Sequence, residues 1–553
     1  MAEKRVSALT RSIEKMGMQD QRRHVLRGKR IVIVGAGYIG KKIIFDRAVE
    51  LGVKIVLVDL PGTWAAPMVE HYLQVDTLDH DNAAPTAIKM IKDLNLPIDG
   101  ICTFWENDTP LCGQIATGLG MIGNSYESCM TCRSKYNTRA AMEKAGLRIP
   151  AYKKIRNDID LEDGITKVPF PAVLKPVFGA EAQGATKVTN AEEARAAYFA
   201  VKKLLSVNYD TIYSWGVEFI LEQYLDGEEV DVDFLLFDGK VVFQSITDNL
   251  ETNEPDFLNT ASILPSILPA HKQQELTELA ARTCLDAIGL TVGAIHVEMK
   301  YTSTGPQIIE VNSRMCGNPY FDWIRAVWGV CFIEETFMAV CGIRIAPFKP
   351  ELPLLYLAGN FLLSKTSGTV TQEDFDKIAS LRKDKRCFEV VIEVSPPHEV
   401  LAPPNGREEL GWVTAKGNSV QQAVRNLTDL TSDKMGCIPP YVYCKPVVLP
   451  QHLREIDEVA APPLPVSPAP AGRPTHTFAY NKDRLSGAMD PEIVGSLTKY
   501  GSSLSKYGSS LGAAVSSLGT SLGKSLTNQF GQSPRDVPRS VHYMQYSSSS
   551  SKQ

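Results

Sequence analysis

Much that would mark a membrane, secreted or nucleic-acid-binding protein is missing from this chain. No run of apolar residues approaches the roughly 20 needed to span a bilayer as a helix. Residues 1–30 are mixed and charged, with no apolar block of a secretory signal. Glu3, Glu14 and Asp20 interrupt the basic pattern that a mitochondrial presequence would need. A basic excess is absent too: 58 Lys and Arg stand against 63 Asp and Glu, a formal net charge of −5. Bulk charge therefore favours no nucleic-acid partner. Cysteine gives no disulfide framework. The 11 cysteines are an odd number scattered through apolar stretches, as expected of small core residues in a reducing compartment. Cys129-Met-Thr-Cys132 has neither a second pair nor the nearby histidines that a zinc site requires. These absences predict a cytoplasmic protein with small-molecule partners, no transmembrane segment and no nucleic acid; they leave a homo-oligomer open.

What is present is enough chain for three or four domains, 553 residues. A polar arm covers residues 1–29. Arg30-Ile-Val-Ile-Val-Gly35 reads as a buried parallel strand, and a second strand follows a helical stretch at Val53 to Val58. Residues 30–129 thus predict a Rossmann-like βαβ domain. Residues 130–345 mix strands and helices and hold most of the chemistry. Residues 346–450 return to strand-like runs such as Glu389-Val-Val-Ile-Glu393 and Tyr441-Val-Tyr-Cys444, a C-terminal lobe. Composition then shifts. Residues 460–553 begin with a stretch rich in proline and alanine, followed by a heptad-spaced series, Leu497, Leu504, Leu511 and Leu518, set among serine and glycine. Glycine in each repeat opposes a stable helix, so this segment is expected to be a disordered tail, dispensable for catalysis.

Gly35-Ala-Gly37-Tyr-Ile-Gly40 follows a strand and opens a helix, and Asp59 ends the next strand. That is the pattern of a dinucleotide site and, alone, of an NAD-dependent oxidoreductase. The same glycines serve any tight strand-to-helix turn. A better nucleotide site lies further on, so this one is read as a structural or substrate-facing turn.

Lys175 ends the apolar run Phe170-Pro-Ala-Val-Leu-Lys175, and Gly179-Ala-Glu-Ala-Gln-Gly184 follows it. A fixed ammonium beside a glycine loop suits a polyphosphate, which backbone N–H groups can cradle and a point charge neutralise. Lys135 is a candidate second charge. Phe219-Ile-Leu-Glu222-Gln-Tyr-Leu225 leads into Asp-Gly-Glu-Glu229, a hinge able to offer backbone groups to an adenine edge, with Glu229 for the ribose hydroxyls. Two strands joined by a short turn come next, one carrying Glu298, the other Glu310, Asn312 and Arg314. Alternation puts the last three on one face, and a loop of five residues, 301–305, would bring Glu298 to it. Carboxylates crowded in this way repel one another unless a hard cation such as Mg²⁺ joins them to phosphate oxygens.

These pieces, in this order, resemble the ATP-grasp superfamily over about Arg30 to Tyr443. The resemblance implies an α/β and α+β architecture, the ATP-grasp fold, with the Rossmann-like domain in front and the C-terminal lobe and disordered tail behind. It implies a ligase that uses ATP and Mg²⁺, or Mn²⁺ in its place, to form a carbon–nitrogen bond. Lys135, Lys175, Gly179, Gly184, Glu222, Gln223, Leu225 and Glu229 would bind the nucleotide, the backbones of Gln223 and Leu225 meeting the adenine. Glu298, Glu310 and Asn312 would hold the metal, and Arg314 would stabilise the transferred phosphoryl group. Further stretches, among them Asp99-Gly-Ile-Cys-Thr-Phe-Trp105-Glu106 and Asp322-Trp-Ile-Arg325, resemble the carnosine synthase family, which joins β-alanine to L-histidine. They make Glu106, Asp322 and Arg325 the candidate substrate contacts. Glu181, Gln183 and Cys316 depart from that family's pattern, which leaves open a ligase for a different amino acid or natural-product substrate; a non-catalytic nucleotide-binding scaffold is a further alternative.

Overall fold

Four sheets organise residues 18–454, the part described in this computed structural model apart from residues 181, 206–210, 251, 253, 255–256, 402–407 and 433–434. The polar arm up to residue 17 and the expected tail at 460–553 lie outside the described residues.

The first sheet is parallel, in the order β3-β2-β1-β4, from β1 (Arg30–Val34), β2 (Lys54–Asp59), β3 (His71–Gln74) and β4 (Gly100–Cys102). Every residue of β1 is buried. Ile31 and Ile33 pack into one apolar cluster, Val32 and Val34 into another. A strand covered on both faces must be apolar throughout, which is why this run reads as continuous rather than alternating.

A small antiparallel sheet follows, β5-β8-β6-β7, built from β5 (Tyr152–Ile155), β6 (Ala172–Pro176), β7 (Thr186–Val188) and β8 (Phe219–Gln223). Its strands alternate. Ala172, Leu174, Phe219 and Leu221 face a core that includes Ala194, Ala197 and Tyr198 of the helix Ala191–Leu204. Lys175, Ile220 and Glu222 therefore face the opposite way.

The largest sheet is antiparallel. It contains β9 (Glu228–Phe237), β10 (Lys240–Asn249), β11 (Ala261–Leu264), β12 (Gly293–Thr302), β13 (Gly305–Asn312) and β14 (Tyr356–Ser364). The short β15 (Gly368–Val370) pairs with β17 (His398–Val400) apart from it, whereas β16 (Cys387–Ile392), β18 (Glu409–Gly417) and β19 (Val442–Tyr443) join it. The order is β13-β12-β9-β10-β11-β14-β18-β16, with β19 beside β14. The expected division at 345/346 thus separates strands in sequence that one sheet joins in space: Ala261 of β11 pairs with Asn360 of β14.

One face of β9 and β12 is apolar. Val230, Val232, Phe234, Ile295, Val297 and Met299 pack against Leu276 and Ala280 of the helix Ala270–Arg282. Each such side chain contributes about 1.5–3 kcal/mol by leaving water, enough to fix the strand register despite what the other face carries. That other face bears Glu229, Asp231, Asp233, His296, Glu298 and Lys300, in cross-strand pairs His296–Asp233, Glu298–Asp231 and Lys300–Glu229.

The β12–β13 connection corrects one expectation. The loop is not the five residues 301–305, since Thr302 pairs directly with Gly305. A two-residue turn alone would set Glu298 opposite residue 309. The register shifts by one between Glu298 and Met299, so that Met299 pairs with Ile308 and Glu298 with Glu310. This β-bulge, not the loop length, brings the two carboxylates face to face.

Candidate active site

Glu298 and Glu310 lie at the paired positions of β12 and β13, with His296 and Asn312 paired one step further along the same face. Glu310 is buried and accepts a hydrogen bond from Lys135 Nζ at 2.9 Å. Burial alone would raise its pKa, but Lys135, with Lys175 and Arg133 nearby, holds it below the ordinary range. Glu298 has no lysine or arginine so placed; the nearest cationic group is the His296 ring, whose Nε2 lies at 3.8 Å. Burial and the facing Glu310 push it up to about 8. One carboxylate of the pair is thus held ionised by a buried lysine, while the other stays raised despite His296, so an added cation would favour its charged form.

Asn312 donates its side-chain amide to Glu106, at 3.1 and 3.3 Å, in the orientation that the surrounding hydrogen bonds require. Arg314 pairs with the same Glu106 carboxylate at 2.7 Å. Glu106 comes from the turn that follows β4, so this contact ties the parallel sheet's domain to the end of β13.

A second set of charges meets across the small sheet. Lys175 donates to Glu222 at 3.0 Å, and Arg139 donates to both oxygens of that carboxylate, at 2.6 and 3.0 Å. Glu222 is buried, yet Arg139 and Lys175 outweigh burial and hold it down at about 2. Burial moves Lys175 the other way, below the usual lysine range. Lys135 Nζ also reaches the Gly179 carbonyl at 3.3 Å. Lys135 and Arg139 are one helical turn apart on Lys135–Lys144 and face the same way, so one helix delivers one cation to each carboxylate. The bulge adds a contact: the carbonyl of its extra residue, Ile309, accepts from Arg139 at 2.9 Å.

The hinge is partly committed. The Gln223 and Tyr224 N–H groups donate to the Ala151 and Pro171 carbonyls, at 2.8 and 2.9 Å, and the Leu225 carbonyl accepts from Lys300 at 3.4 Å. Glu229 pairs with Lys300 at 3.5 Å, and burial raises its pKa. An adenine edge would therefore have to use the groups of Gln223 and Leu225 that remain.

The first glycine turn is filled. A Cβ on Gly35 would lie 1.8 Å from Asp108 Oδ2, and one on Gly37 would lie 2.6 Å from the Trp105 ring. Asp59, the acid of the apparent fingerprint, accepts the Ala36 N–H at 3.1 Å. The turn's own partners occupy the space that a pyrophosphate would need. Tyr38 of the same turn is half-buried, and its hydroxyl accepts from Asn318 at 3.2 Å.

Of the predicted residues, Lys135, Lys175, Gly179, Glu222, Glu298, Glu310, Asn312, Arg314 and Glu106 come together through these contacts. Gly184 turns with φ +72°, close against Val201 and Leu205. Asp322 is half-buried and Arg325 exposed on the helix Tyr320–Trp328; among the described residues no ion pair joins Arg325 to the cluster. Several residues escaped sequence reasoning. Arg139 was signalled by its spacing from Lys135. Asp231 and Asp233 alternate with valines in β9, and His296 precedes Glu298 by two, the interval that shares a strand face. His296 Nδ1 bonds Asp233 at 2.9 Å, with Nε2 3.8 Å from Glu298. Burial would lower this imidazole, but Asp233 and Asp231 raise it to about 9.

Known proteins share this arrangement of segments. Residues 168–320 match the family model of the ATP-grasp domain, and residues 45–121 that of the ATP-grasp N-terminal domain. Carnosine synthase 1 of Gallus gallus is 32% identical over 360 residues, covering 62% of this chain and 38% of that protein. Alanine–anticapsin ligase of Bacillus amyloliquefaciens is 26% identical over 279 residues, 48% of this chain and 58% of its own. The chain spans about two-fifths of the length of the carnosine synthases it matches, 38–42%. Among solved structures, an L-amino acid ligase from Bacillus licheniformis shares the fold with a TM-score of 0.61 at 21% identity, over 73% of this chain and 97% of that one.

Proposed function

We propose that this chain, which has the ATP-grasp fold, is an ATP- and Mg²⁺-dependent ligase that joins a carboxylate to an amine through an acyl phosphate, with β-alanine and L-histidine as its substrates. The observation that carries the reading is the facing Glu298–Glu310 pair, one carboxylate held down by Lys135 and the other pushed up, with Asn312 and Arg314 beyond it and Lys135 linking it to the glycine loop.

The residues fit a hard divalent cation. Opposed carboxylate oxygens and the Asn312 amide oxygen are its preferred donors, and the burial that raises Glu298 is relieved by a positive neighbour. Among the described residues no three His, Cys, Asp or Glu side chains form a ready-made cage. Mg²⁺ needs none, since it is held by one or two carboxylates and the phosphates of the substrate. When bound, the ion supplies charge neutralisation for the transferred phosphoryl group.

Lys135 and Lys175 hold the phosphates over the Gly179–Gly184 loop. Glu222 and Arg139 keep the Lys175 ammonium aimed at them. Gln223 and Leu225 offer backbone groups to the adenine, and Glu229 meets the ribose. A donor carboxylate oxygen attacks the γ-phosphorus and ADP leaves. The amine nitrogen, having lost its proton, attacks the acyl carbon, and phosphate leaves. Arg314 neutralises the phosphoryl group through both steps, and Glu106 beside it receives the ammonium of a substrate. Such chemistry needs positioning and charge rather than a covalent protein group.

The likeness to an alanine–anticapsin ligase supports a second substrate reading, a different amino-acid pair on the same site. Mass spectrometry of products from protein, ATP, Mg²⁺ and pooled amino acids separates the two. The first reading expects β-alanyl-histidine as the main amide, the second another dipeptide, and no amide at all would overturn both.

A further inference from the structure

One short turn is gripped from two sides. Residues Thr211–Trp215 form a 3-10 turn just before β8, in the small sheet's domain. The first domain holds it through several contacts. The His80 ring stacks on Trp215 with centroids 3.5 Å apart and planes 14° from parallel. Asn107 donates to the Thr211 carbonyl at 3.3 Å and to Ser214 Oγ at 3.4 Å, while Trp215 Nε1 donates to the Asn107 carbonyl at 3.3 Å. Arg133, wholly buried, donates to the Ile212 carbonyl at 2.9 Å. On its other side the turn reaches the glycine loop: the Tyr213 hydroxyl donates to Gln183 Oε1 at 3.3 Å.

We propose that His80 and Asn107 are positioning residues that latch the Thr211–Trp215 turn to the first domain and, through Tyr213 and Gln183, hold the glycine loop closed over the nucleotide. This rests on the ligase reading and adds what the latch is for. Asn107 is the neighbour of Glu106, the residue assigned to a substrate ammonium, so the contact that receives a substrate and the contact that closes the loop share one turn of chain. Closure excludes water from the acyl phosphate. If water enters, its oxygen attacks the acyl carbon, the bond to the phosphate oxygen breaks, phosphate leaves, the proton passes to solvent, and the donor acid is regenerated. ATP is then spent without an amide.

Geometry supports a device rather than ordinary packing. Four contacts, the His80–Trp215 stack and the three hydrogen bonds of Asn107, join the first domain to the turn, while those of Arg133 and Gln183 come from its own domain. The two partners of the stack are both half-buried; Trp215 packs at the edge of the small apolar cluster of Val177, Phe178 and Ile220, to which His80 does not belong. His80 Nε2 and Asn107 Oδ1 are buried with no hydrogen-bond partner in the closed arrangement, a cost that makes opening easy.

The test compares full-length wild type with His80→Ala, Trp215→Ala and the ring-preserving His80→Phe. Three quantities are read: amide hydrogen exchange of residues 211–216, affinity for MgADP, and ADP formed per amide bond. Both alanine variants should exchange faster in the turn, bind MgADP roughly three- to tenfold more weakly, as expected for losing one aromatic stack, and release more ADP per amide. His80→Phe should restore most of each. Unchanged thermal melting separates these effects from misfolding. Alanine variants that match wild type in exchange, affinity and ratio overturn the latch. If wild type forms no amide with any amino-acid pair, the ligase reading fails, while the exchange and MgADP measurements still decide the latch.

Discussion

A Cβ placed on Gly35 would lie 1.8 Å from an Asp108 oxygen, whereas one placed on Gly179 would meet nothing nearer than 3.6 Å. Both glycines follow buried strands, and both belong to loops that could cradle phosphates. The first has the recognised dinucleotide spacing and is packed shut by Asp108 and Trp105. The second has no such spacing and stands open beside two buried lysines. Spacing reports how the backbone turns; what occupies the turn is decided by residues from elsewhere, here the segment after β4. An anion site needs open backbone and a fixed cation together, and only the second loop has both.

The largest effect that sharpens this contrast is chemical. Lys175→Ala and Glu310→Gln should each lower substrate-dependent ADP release by at least about two decades, the scale for losing a preorganised charge, with little change in thermal stability. Steady-state assays beside melting curves read both. Near-normal turnover in either variant would remove the second loop's claim to the nucleotide.

Next in size is a pair of glycine substitutions. Gly35→Ala forces a side chain into a φ of +72° against a short, buried carboxylate, so it should destabilise the fold by about 1–3 kcal/mol. Gly179→Ala should cost under about 0.5 kcal/mol, because a Cβ there meets its neighbours only at ordinary van der Waals distance. Urea titration measures both, and equal costs would break the contrast.

A smaller effect concerns Asp108 itself. Burial, with Asp59 close by, pushes its carboxyl up to about 8. The unfolded value is about 3.9, so the folded state binds the extra proton between those limits and stability falls as pH rises from about 4 to about 8. Asp108→Asn removes that titration. Relative to wild type, the variant should gain on the order of a few kcal/mol between pH 5 and pH 8.5; a constant difference would mean the carboxylate is not held neutral.

The fold was legible where burial forces a pattern. The run Arg30–Val34 announced a strand covered on both sides, and Lys175 and Glu222 fell on strands that the structure also has. The Glu298–Glu310 pairing was reached by a wrong route, because a one-residue bulge leaves no mark in a sequence read by alternation. Arg139 and His296 were within reach of spacing rules, at four residues from Lys135 and two from Glu298. The filling of the first glycine turn was not, since Trp105 and Asp108 are about 70 residues away in the chain. Arg325, expected at the substrate, stands exposed on its helix, because a helix turns successive residues to different faces.

The central claim is that a carboxylate takes the γ-phosphoryl group of a nucleotide held at the Lys175 loop. Donor amino acid labelled with ¹⁸O in its carboxylate tests this directly. With ATP, Mg²⁺ and the amine acceptor, mass spectrometry should find one label in inorganic phosphate for each amide formed, and none in the nucleotide. Label in AMP would mean an adenylate intermediate, and unlabelled phosphate would mean that no acyl phosphate forms; either result contradicts the account.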